Sequence, residues 1–164
     1  MRAELTIFLI AMSPFAELRG AIPIGITVFH FSWLKTFLIS FLGNIIFIIP
    51  VILFLEHFSD FLMKKNKWFY KCFTWIFNRT RKQISASYQK YSRWALTIFV
   101  AVPLPFTGAW TGCIAAYLLG FSKRESFLLI SLGVFIAACI VTTLTLLGVS
   151  LLWYNIGYEA VPRF

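Results

Sequence analysis

Apolar stretches alternate with polar ones along the chain, and Pro, Gly and charged residues interrupt only some of them. Trp33–Leu55 and Ser126–Trp153 are the cleaner stretches, and each is long enough, at about 20 residues or more, to cross a bilayer as a helix. The stretches before them, Leu5–Phe29 and Trp94–Leu119, are apolar but broken by Pro and Gly. Between the halves lies a basic, aromatic stretch, Glu56–Arg93. The pattern predicts an all-α integral membrane protein in which a broken segment precedes an intact helix twice.

The two halves also resemble each other in sequence. Phe31–Gly43 aligns with Phe121–Gly133 without a gap, and Pro14-Phe15 matches Pro105-Phe106 upstream. Chance similarity between helices rich in Phe and Leu is the alternative, but the shared Ser, Gly and Pro favour a duplication. We therefore predict a single membrane domain, 1–164, made of repeat 1 (1–56), a basic interfacial linker (57–91) and repeat 2 (92–157).

Both predicted intact helices contain serines and glycines, and Ser32 with Ser122 and Gly43 with Gly133 occupy matching positions. Ser32 and Ser122 stand where each helix begins, and a Ser there can accept a hydrogen bond from a free backbone N–H. Small residues further along let helices approach closely in lipid. These residues are Ser40, Gly43, Ser131 and Gly133, and the last three are also candidate contacts of a homodimer.

Composition and charge place most of the chain in a bilayer. Of the 164 residues, 60% are hydrophobic, against about 45–50% in soluble domains. The net charge of +9 comes from basic residues clustered between apolar blocks, which indicates topology signals and contacts with anionic lipids rather than nucleic-acid binding. Cys72, Cys113 and Cys139 form no CxxC pair, so neither a disulfide framework nor a metal site is expected, and no cofactor is implied.

The positive charges predict the orientation of the chain. Nine of the fifteen Lys and Arg residues lie in Glu56–Arg93, so the linker is expected in the cytoplasm and the protein in the inner membrane, as a multi-pass protein. Aromatic residues interleave with these basic ones, which is typical of an amphipathic segment lying in the interface. If each broken segment crossed the membrane, there would be four spans, and Gly120–Arg124 would face outside against the rule.

A re-entrant hairpin in each broken segment resolves this conflict. Gly120–Arg124 is then cytoplasmic, and the two repeats have opposite orientations, as in an inverted repeat. Pro and Gly at the predicted tips support hairpins, because Pro removes a backbone donor and kinks helices; ordinary kinked spanning helices are the alternative. The tips are predicted at Ser13-Pro14 with Gly20 and Pro23, and at Pro103-Leu104-Pro105 with Gly108, facing each other near the midplane.

Ionisable residues inside a membrane are costly and are candidates for function. Glu17 and Arg19 lie in the first broken segment, where Arg19 could bind an anion or phosphate and Glu17 could exchange protons. An internal ion pair that fixes the hairpin is the alternative interpretation. The second tip has no ionisable residue, but its backbone N–H groups and glycines could approach an anionic group. Its candidate residues are Pro103, Pro105, Thr107, Gly108, Trp110 and Gly112, although Trp110 could equally be a packing residue.

At Pro14–Pro23 and Pro103–Gly112 the sequence resembles the two signatures of the putative small multidrug export protein family. The first reads Pro-Phe-Ala-Glu-Leu-Arg-Gly-Ala-Ile-Pro and the second Pro-Leu-Pro-Phe-Thr-Gly-Ala-Trp-Thr-Gly. Phe106 departs from the Gly that the family pattern has there. This family is similar to the DedA/VTT superfamily, which implies two re-entrant hairpins, movement of lipid phosphates with proton coupling, and Glu17 and Arg19 as the acidic and basic residues of the tip.

The sequence thus favours a transporter, proton-coupled through Glu17, for an amphipathic or anionic substrate of the lipid-phosphate kind or a small drug. The substrate is expected between the two tips. A non-transporting membrane organiser or assembly subunit is the alternative, because one chain supplies only two full spans. The chain lacks the residue sets of a hydrolase or metalloenzyme, so we do not expect an enzyme.

Overall fold

The computed structural model describes residues 2–65, 86–104 and 107–156, and side chains in 2–58, 91–104 and 107–151. This part of the chain is all helical, with six helices and no strand. The helices are α1 (Arg2–Met12), α2 (Glu17–Thr27), α3 (Trp33–Lys65), α4 (Ala86–Ala101), α5 (Ala109–Leu118) and α6 (Lys123–Ile156). The predicted order of a broken segment followed by an intact helix therefore occurs twice. Pro105 and Phe106 lie outside the described residues.

The two long helices contain apolar stretches of membrane-spanning length. Trp33–Phe58 in α3 and Lys123–Leu151 in α6 are long and apolar enough to cross a bilayer. α3 continues to Lys65, beyond the end predicted at Leu55, because residues 56–65 contain no Pro or Gly to stop it. The helices α3 and α4 therefore take up the ends of the predicted linker, and the rest of the predicted interfacial segment lies outside the described residues.

The short helices form two packed pairs, α1 with α2 and α4 with α5. The chain divides into two compact units. In its described part, the first unit contains α1, α2, residues 33–45 of α3 and residues 134–156 of α6. The second contains the remainder of α3, the pair α4–α5 and residues 123–133 of α6.

The long helices have nearly the same pattern of buried and exposed residues when they are offset by ninety positions. Thr36 and Ser126 are both buried, and so are Gly43 and Gly133. The residue two positions before each helix-capping serine has a positive φ, at 50° for His30 and 72° for Gly120. This left-handed backbone is unfavourable for a residue with a Cβ and normal for glycine. The halves therefore share backbone geometry even where their side chains differ.

The predicted serine caps are present. The Ser32 hydroxyl accepts a hydrogen bond from the N–H of Lys35 at 3.4 Å, and the Ser122 hydroxyl accepts one from the N–H of Glu125 at 3.3 Å. At the second cap the N–H of Ser122 also donates to the Glu125 carboxylate at 3.3 Å, which completes a capping box. These contacts confirm where the two intact helices begin.

Gly43 and Gly133 let each long helix approach the helix pair before it, which is the close packing predicted for these small residues. A Cβ at Gly43 would lie 3.0 Å from the carbonyl oxygen of Phe8, and one at Gly133 would lie 2.8 Å from that of Thr97. Because both glycines are covered by the chain's own helices, a homodimer would need other contacts. The dimer itself stays a prediction.

Candidate functional site

Glu17 combines three unusual properties for a residue in an apolar segment. It is ionisable, it is buried with 7% of its surface exposed, and its φ of 47° lies in the left-handed region. A left-handed backbone costs a residue other than glycine about 1–2 kcal/mol. Such strain concentrates at functional sites, where the surrounding structure holds the residue in place. The left-handed backbone at Glu17 therefore lowers the stability of the fold at the start of α2.

A short turn positions Glu17. Residues 13–16 join α1 to α2, and the N–H of Glu17 donates to the carbonyl of Ser13 at 3.1 Å. Pro14 lies in this turn, as predicted, and is exposed. Gly20 and Pro23 were predicted at the tip but lie inside α2. Helix formation resumes directly at Glu17, so these two residues come one and two turns later.

Arg19 lies two residues after Glu17, is partly buried and interacts favourably with the Glu17 carboxylate through space. An internal ion pair between these two residues was one of the interpretations of the sequence. Gly20 leaves little room beside them, since a Cβ there would lie 2.9 Å from the Cβ of Ala16. A carboxylate and a guanidinium thus sit together at the start of α2, in a helix that is otherwise apolar.

Ion pairs connect each long helix to the helix pair before it. In the first unit, Glu4 at the start of α1 pairs with Lys35 at the start of α3, at 2.5 Å. α1 has 11 residues, so it extends about 16 Å from that end. The Lys35 ammonium donates a hydrogen bond to Glu4 and holds the pKa of that carboxyl below its ordinary value.

The second unit has the corresponding ion pair with its charges exchanged. Arg93 of α4 pairs with Glu125 in the first turn of α6, and Lys123 pairs with Glu56 of α3 at 2.6 Å. The middle of α4, the beginning of α6 and residue 56 therefore lie close together in this unit. Glu125 aligns with Lys35 in the repeat, so acid and base have changed places.

The second predicted tip is a loop that a threonine holds together. The Thr107 hydroxyl donates to the Val102 carbonyl at 2.7 Å and accepts from the N–H of Leu104 at 3.2 Å. Gly108 precedes α5, and its N–H donates to the Thr111 hydroxyl at 3.0 Å. Pro103 lies in this loop, as predicted. These contacts give Thr107 a structural role at the loop.

Trp110 and Gly112 were predicted at the tip but lie within α5. The Trp110 ring contacts Phe47, with the ring centroids 4.5 Å apart, which supports its interpretation as a packing residue. A Cβ at Gly112 would lie 2.6 Å from a methyl group of Val100, so this glycine allows α4 and α5 to touch. Both positions are therefore occupied by contacts within the second unit.

Sequence reasoning named Ser40 only as a small residue for helix packing and missed the row of buried polar side chains on α3 to which it belongs. Thr36, Ser40 and Asn44 recur every four residues and are at most 2% exposed. The Asn44 amide donates to the carbonyl of Ala11 at 2.8 Å, near the turn before Glu17. The four-residue spacing of polar residues in an apolar helix was the signal that could have found them.

Metal ligands do not gather anywhere in the part of the chain that the structure describes, since no three His, Cys, Asp or Glu side chains lie close enough there to hold an ion.

No curated protein and no solved structure matches the chain. The model of a family described as "Putative small multi-drug export protein" matches residues 17–140, a stretch that begins at Glu17 and includes α5 and the second capping box. With most of its length matched, this chain belongs to the small multidrug export protein family.

Proposed function

We propose that this membrane protein is a transporter whose substrate is amphipathic or anionic, either a lipid phosphate or a small drug. Arg19 binds the anionic group, and Glu17 exchanges protons. The observation that carries the proposal is Glu17 itself, a carboxylate held buried in a strained backbone beside Arg19. The family description, which names export, supports transport as the general activity.

The chemistry of the pair suits this task. A guanidinium binds phosphate or carboxylate oxygens through two parallel hydrogen bonds. An anion that approaches Arg19 competes with the Glu17 carboxylate for the same positive charge. Protonation of Glu17 removes that competition, so proton uptake and anion binding favour each other. This reciprocity is the minimum that coupled transport needs.

We further propose that each helix pair is a re-entrant hairpin. The ion pairs support this. Glu4 at the start of α1 lies beside Lys35, where α3 begins after α2, and Arg93 of α4 lies beside Glu125, where α6 begins after α5. α1, at about 16 Å, is too short to cross a hydrocarbon core of about 30 Å. With the basic linker in the cytoplasm, the two halves then run in opposite directions through the inner membrane.

Reconstitution tests the proposal. Purified protein in liposomes is assayed for two probes, ethidium as a cationic drug and a fluorescent lipid phosphate, with an imposed pH gradient. We expect Glu17→Gln and Arg19→Ala to lower the rate at least tenfold for any probe that the wild type moves. Glu4→Gln is the matched control, since it removes a carboxylate from the same helix pair at an exposed position, and should retain most activity.

The outcomes separate the alternatives. Unchanged transport in both Glu17→Gln and Arg19→Ala would remove these residues from the mechanism. A wild-type protein that moves neither probe but co-purifies with a fixed membrane partner would instead favour an assembly subunit. In a third outcome, the Glu17→Gln variant still moves the probe down its concentration gradient, but the pH gradient no longer changes the rate. This result would assign proton coupling to Glu17.

A further inference from the structure

Two hydroxyl groups of α3, those of Thr36 and Ser40, are fully buried without a hydrogen-bond partner among the described residues, and the hydroxyls of Ser131 and Thr142 in α6 are the other two buried ones without a partner there. Most helical Ser and Thr side chains donate to a carbonyl one turn back in their own helix, which satisfies them at little cost. Those that do so at 2.8–3.0 Å are Thr6, Thr27, Thr143, Thr145 and Ser150. Thr36 and Ser40 have no exposed surface and no hydrogen-bond partner among the described residues.

The two hydroxyls share one face of α3, and that face packs on the first helix pair. Residues four apart lie one above the other on a helix, about 6 Å along its axis. Thr36 lies against Gly25 of α2, where an added Cβ would come within 3.0 Å of the threonine hydroxyl. One turn beyond Ser40, Asn44 donates to Ala11 at the far end of α1. The row therefore runs from the Glu4–Lys35 ion pair toward the turn that holds Glu17.

The second half shows that the fold does not need a polar side chain at Ser40 or Asn44, although Ser126 is a buried polar residue at the position of Thr36. In the repeat alignment Ser40 corresponds to Ile130 and Asn44 to Val134, which are equally buried at 0% and 2% exposure. An isoleucine thus packs at the position of Ser40 without difficulty. A buried hydroxyl without a partner costs free energy. Ser40 and Asn44 therefore call for a reason other than packing, and they occur in the half that carries Glu17.

We propose that Thr36 and Ser40 line a track that water enters transiently, and that this track carries protons along α3 between the Glu4–Lys35 end and Glu17. The proposal rests on the proposed function, because Glu17 is its end point. The structure holds the track closed, with α3 packed on the first helix pair. Separation of these helices would hydrate both hydroxyls, so their unsatisfied state favours opening.

The chemistry of the hydroxyl group suits a relay. A serine or threonine hydroxyl donates one hydrogen bond and accepts others, so it can pass a proton between neighbouring waters. Two hydroxyls about 6 Å apart are spaced for one bridging water. The proton is taken from bulk water and ends on the Glu17 carboxylate, which becomes neutral. The other charged or titratable side chains described in this unit are Arg2, Glu4, Arg19, His30, Lys35 and Cys139.

Cysteine accessibility tests hydration without knowledge of the substrate. In a chain whose Cys72, Cys113 and Cys139 are replaced, Ser40→Cys is compared with Ile130→Cys, its equally buried counterpart. The probe is the silver ion, which enters narrow aqueous paths, and its reaction is followed as protection against later maleimide labelling of the unfolded protein. We expect Ser40→Cys to react at least tenfold faster than Ile130→Cys, and equal rates would overturn the track.

Removal of the hydroxyls tests the proton route. The double variant Thr36→Val/Ser40→Ala should lower pH-driven transport at least tenfold with little change in the substrate KM, whereas Thr36→Ser should stay within twofold of wild type. The double variant should also unfold no more easily than wild type, because it removes unsatisfied buried groups. Normal pH-driven transport in it would refute the relay.

These results separate this inference from the proposed function. If Glu17→Gln transports normally, the proposed function fails whatever Ser40→Cys shows. If Glu17→Gln is inactive and Ser40→Cys reacts no faster than Ile130→Cys, the function stands and the track is wrong.

Discussion

Replacing Gly133 by alanine should destabilise the second unit, while the same change at Gly148 should not. At Gly133 the new Cβ would lie 2.7 Å from the Cβ of Val100 and 2.8 Å from the carbonyl oxygen of Thr97. The carbonyl belongs to the α4 backbone, so the helices themselves must separate by about half an ångström to reach ordinary contact. At Gly148, in the same helix, a Cβ meets nothing within 4 Å.

The comparison isolates the cost of the close approach. Glycine to alanine favours a helix by up to about 1 kcal/mol at either position, so this contribution cancels between the two variants. Overpacking costs typically about 1–3 kcal/mol, and that range is the expected difference between their free energies of unfolding. Gly43→Ala should fall between them, because its nearest atoms lie at 3.0 Å.

The assay is reversible unfolding of purified protein in mixed micelles as the mole fraction of SDS is increased, followed by far-UV circular dichroism. The expected order of stability is Gly148→Ala, then Gly43→Ala, then Gly133→Ala. Equal stability of the Gly133 and Gly148 variants would refute the close packing of α6 on α4. Loss of helical content in the native state of Gly133→Ala would be the stronger form of the expected result.

Three further predictions concern other parts of the chain. His30→Gly, which copies Gly120 of the second half, should raise the midpoint of SDS unfolding and retain transport, whereas Glu17→Gly should raise the midpoint and abolish transport. Lys35→Glu should lower the midpoint by breaking the ion pair with Glu4, and the exchanged pair Glu4→Lys/Lys35→Glu should recover it. In intact cells, a cysteine at position 30 should react with an impermeant maleimide from outside, and one at position 122 should not.

Each of these has a clear opposing result. If His30→Gly and Glu17→Gly both leave the midpoint unchanged, their left-handed backbones store no strain. If the exchanged pair at positions 4 and 35 stays as unstable as the single variant, their contact does not stabilise the protein. Labelling of Ser122→Cys from outside would mean that the second helix pair crosses the membrane completely, and the re-entrant proposal would fail.

The sequence predicted the order of helices because it depends on local rules. Pro14 and Pro103 mark breaks, Ser32 and Ser122 cap the following helices, and glycine at 43 and 133 marks close packing. Helix ends were less predictable. α3 extends to Lys65, since polar residues that form helices well do not end a helix even where its apolar stretch ends.

The candidate site was predicted in its residues but not in its conformation. Glu17 and Arg19 stood out as charges in an apolar segment, yet no local rule gives a glutamate a left-handed backbone. Gly20 and Pro23 were placed at the tip because both interrupt helices in isolation, but packing against α1 keeps them within α2. The burial of Thr36 and Ser40 depends on which face of α3 meets the helix pair, and that contact is a tertiary property.

The reversed polarity of the ion pairs has a consequence for assembly. Two similar halves in one chain risk domain swapping, in which one long helix takes the short helices of the other half or of a neighbouring copy. Here such an exchange would bring Glu4 to Glu125 and Arg93 to Lys35, and like charges repel. During folding, the charges of each helix pair therefore favour the long helix that follows it over the long helix of the other half.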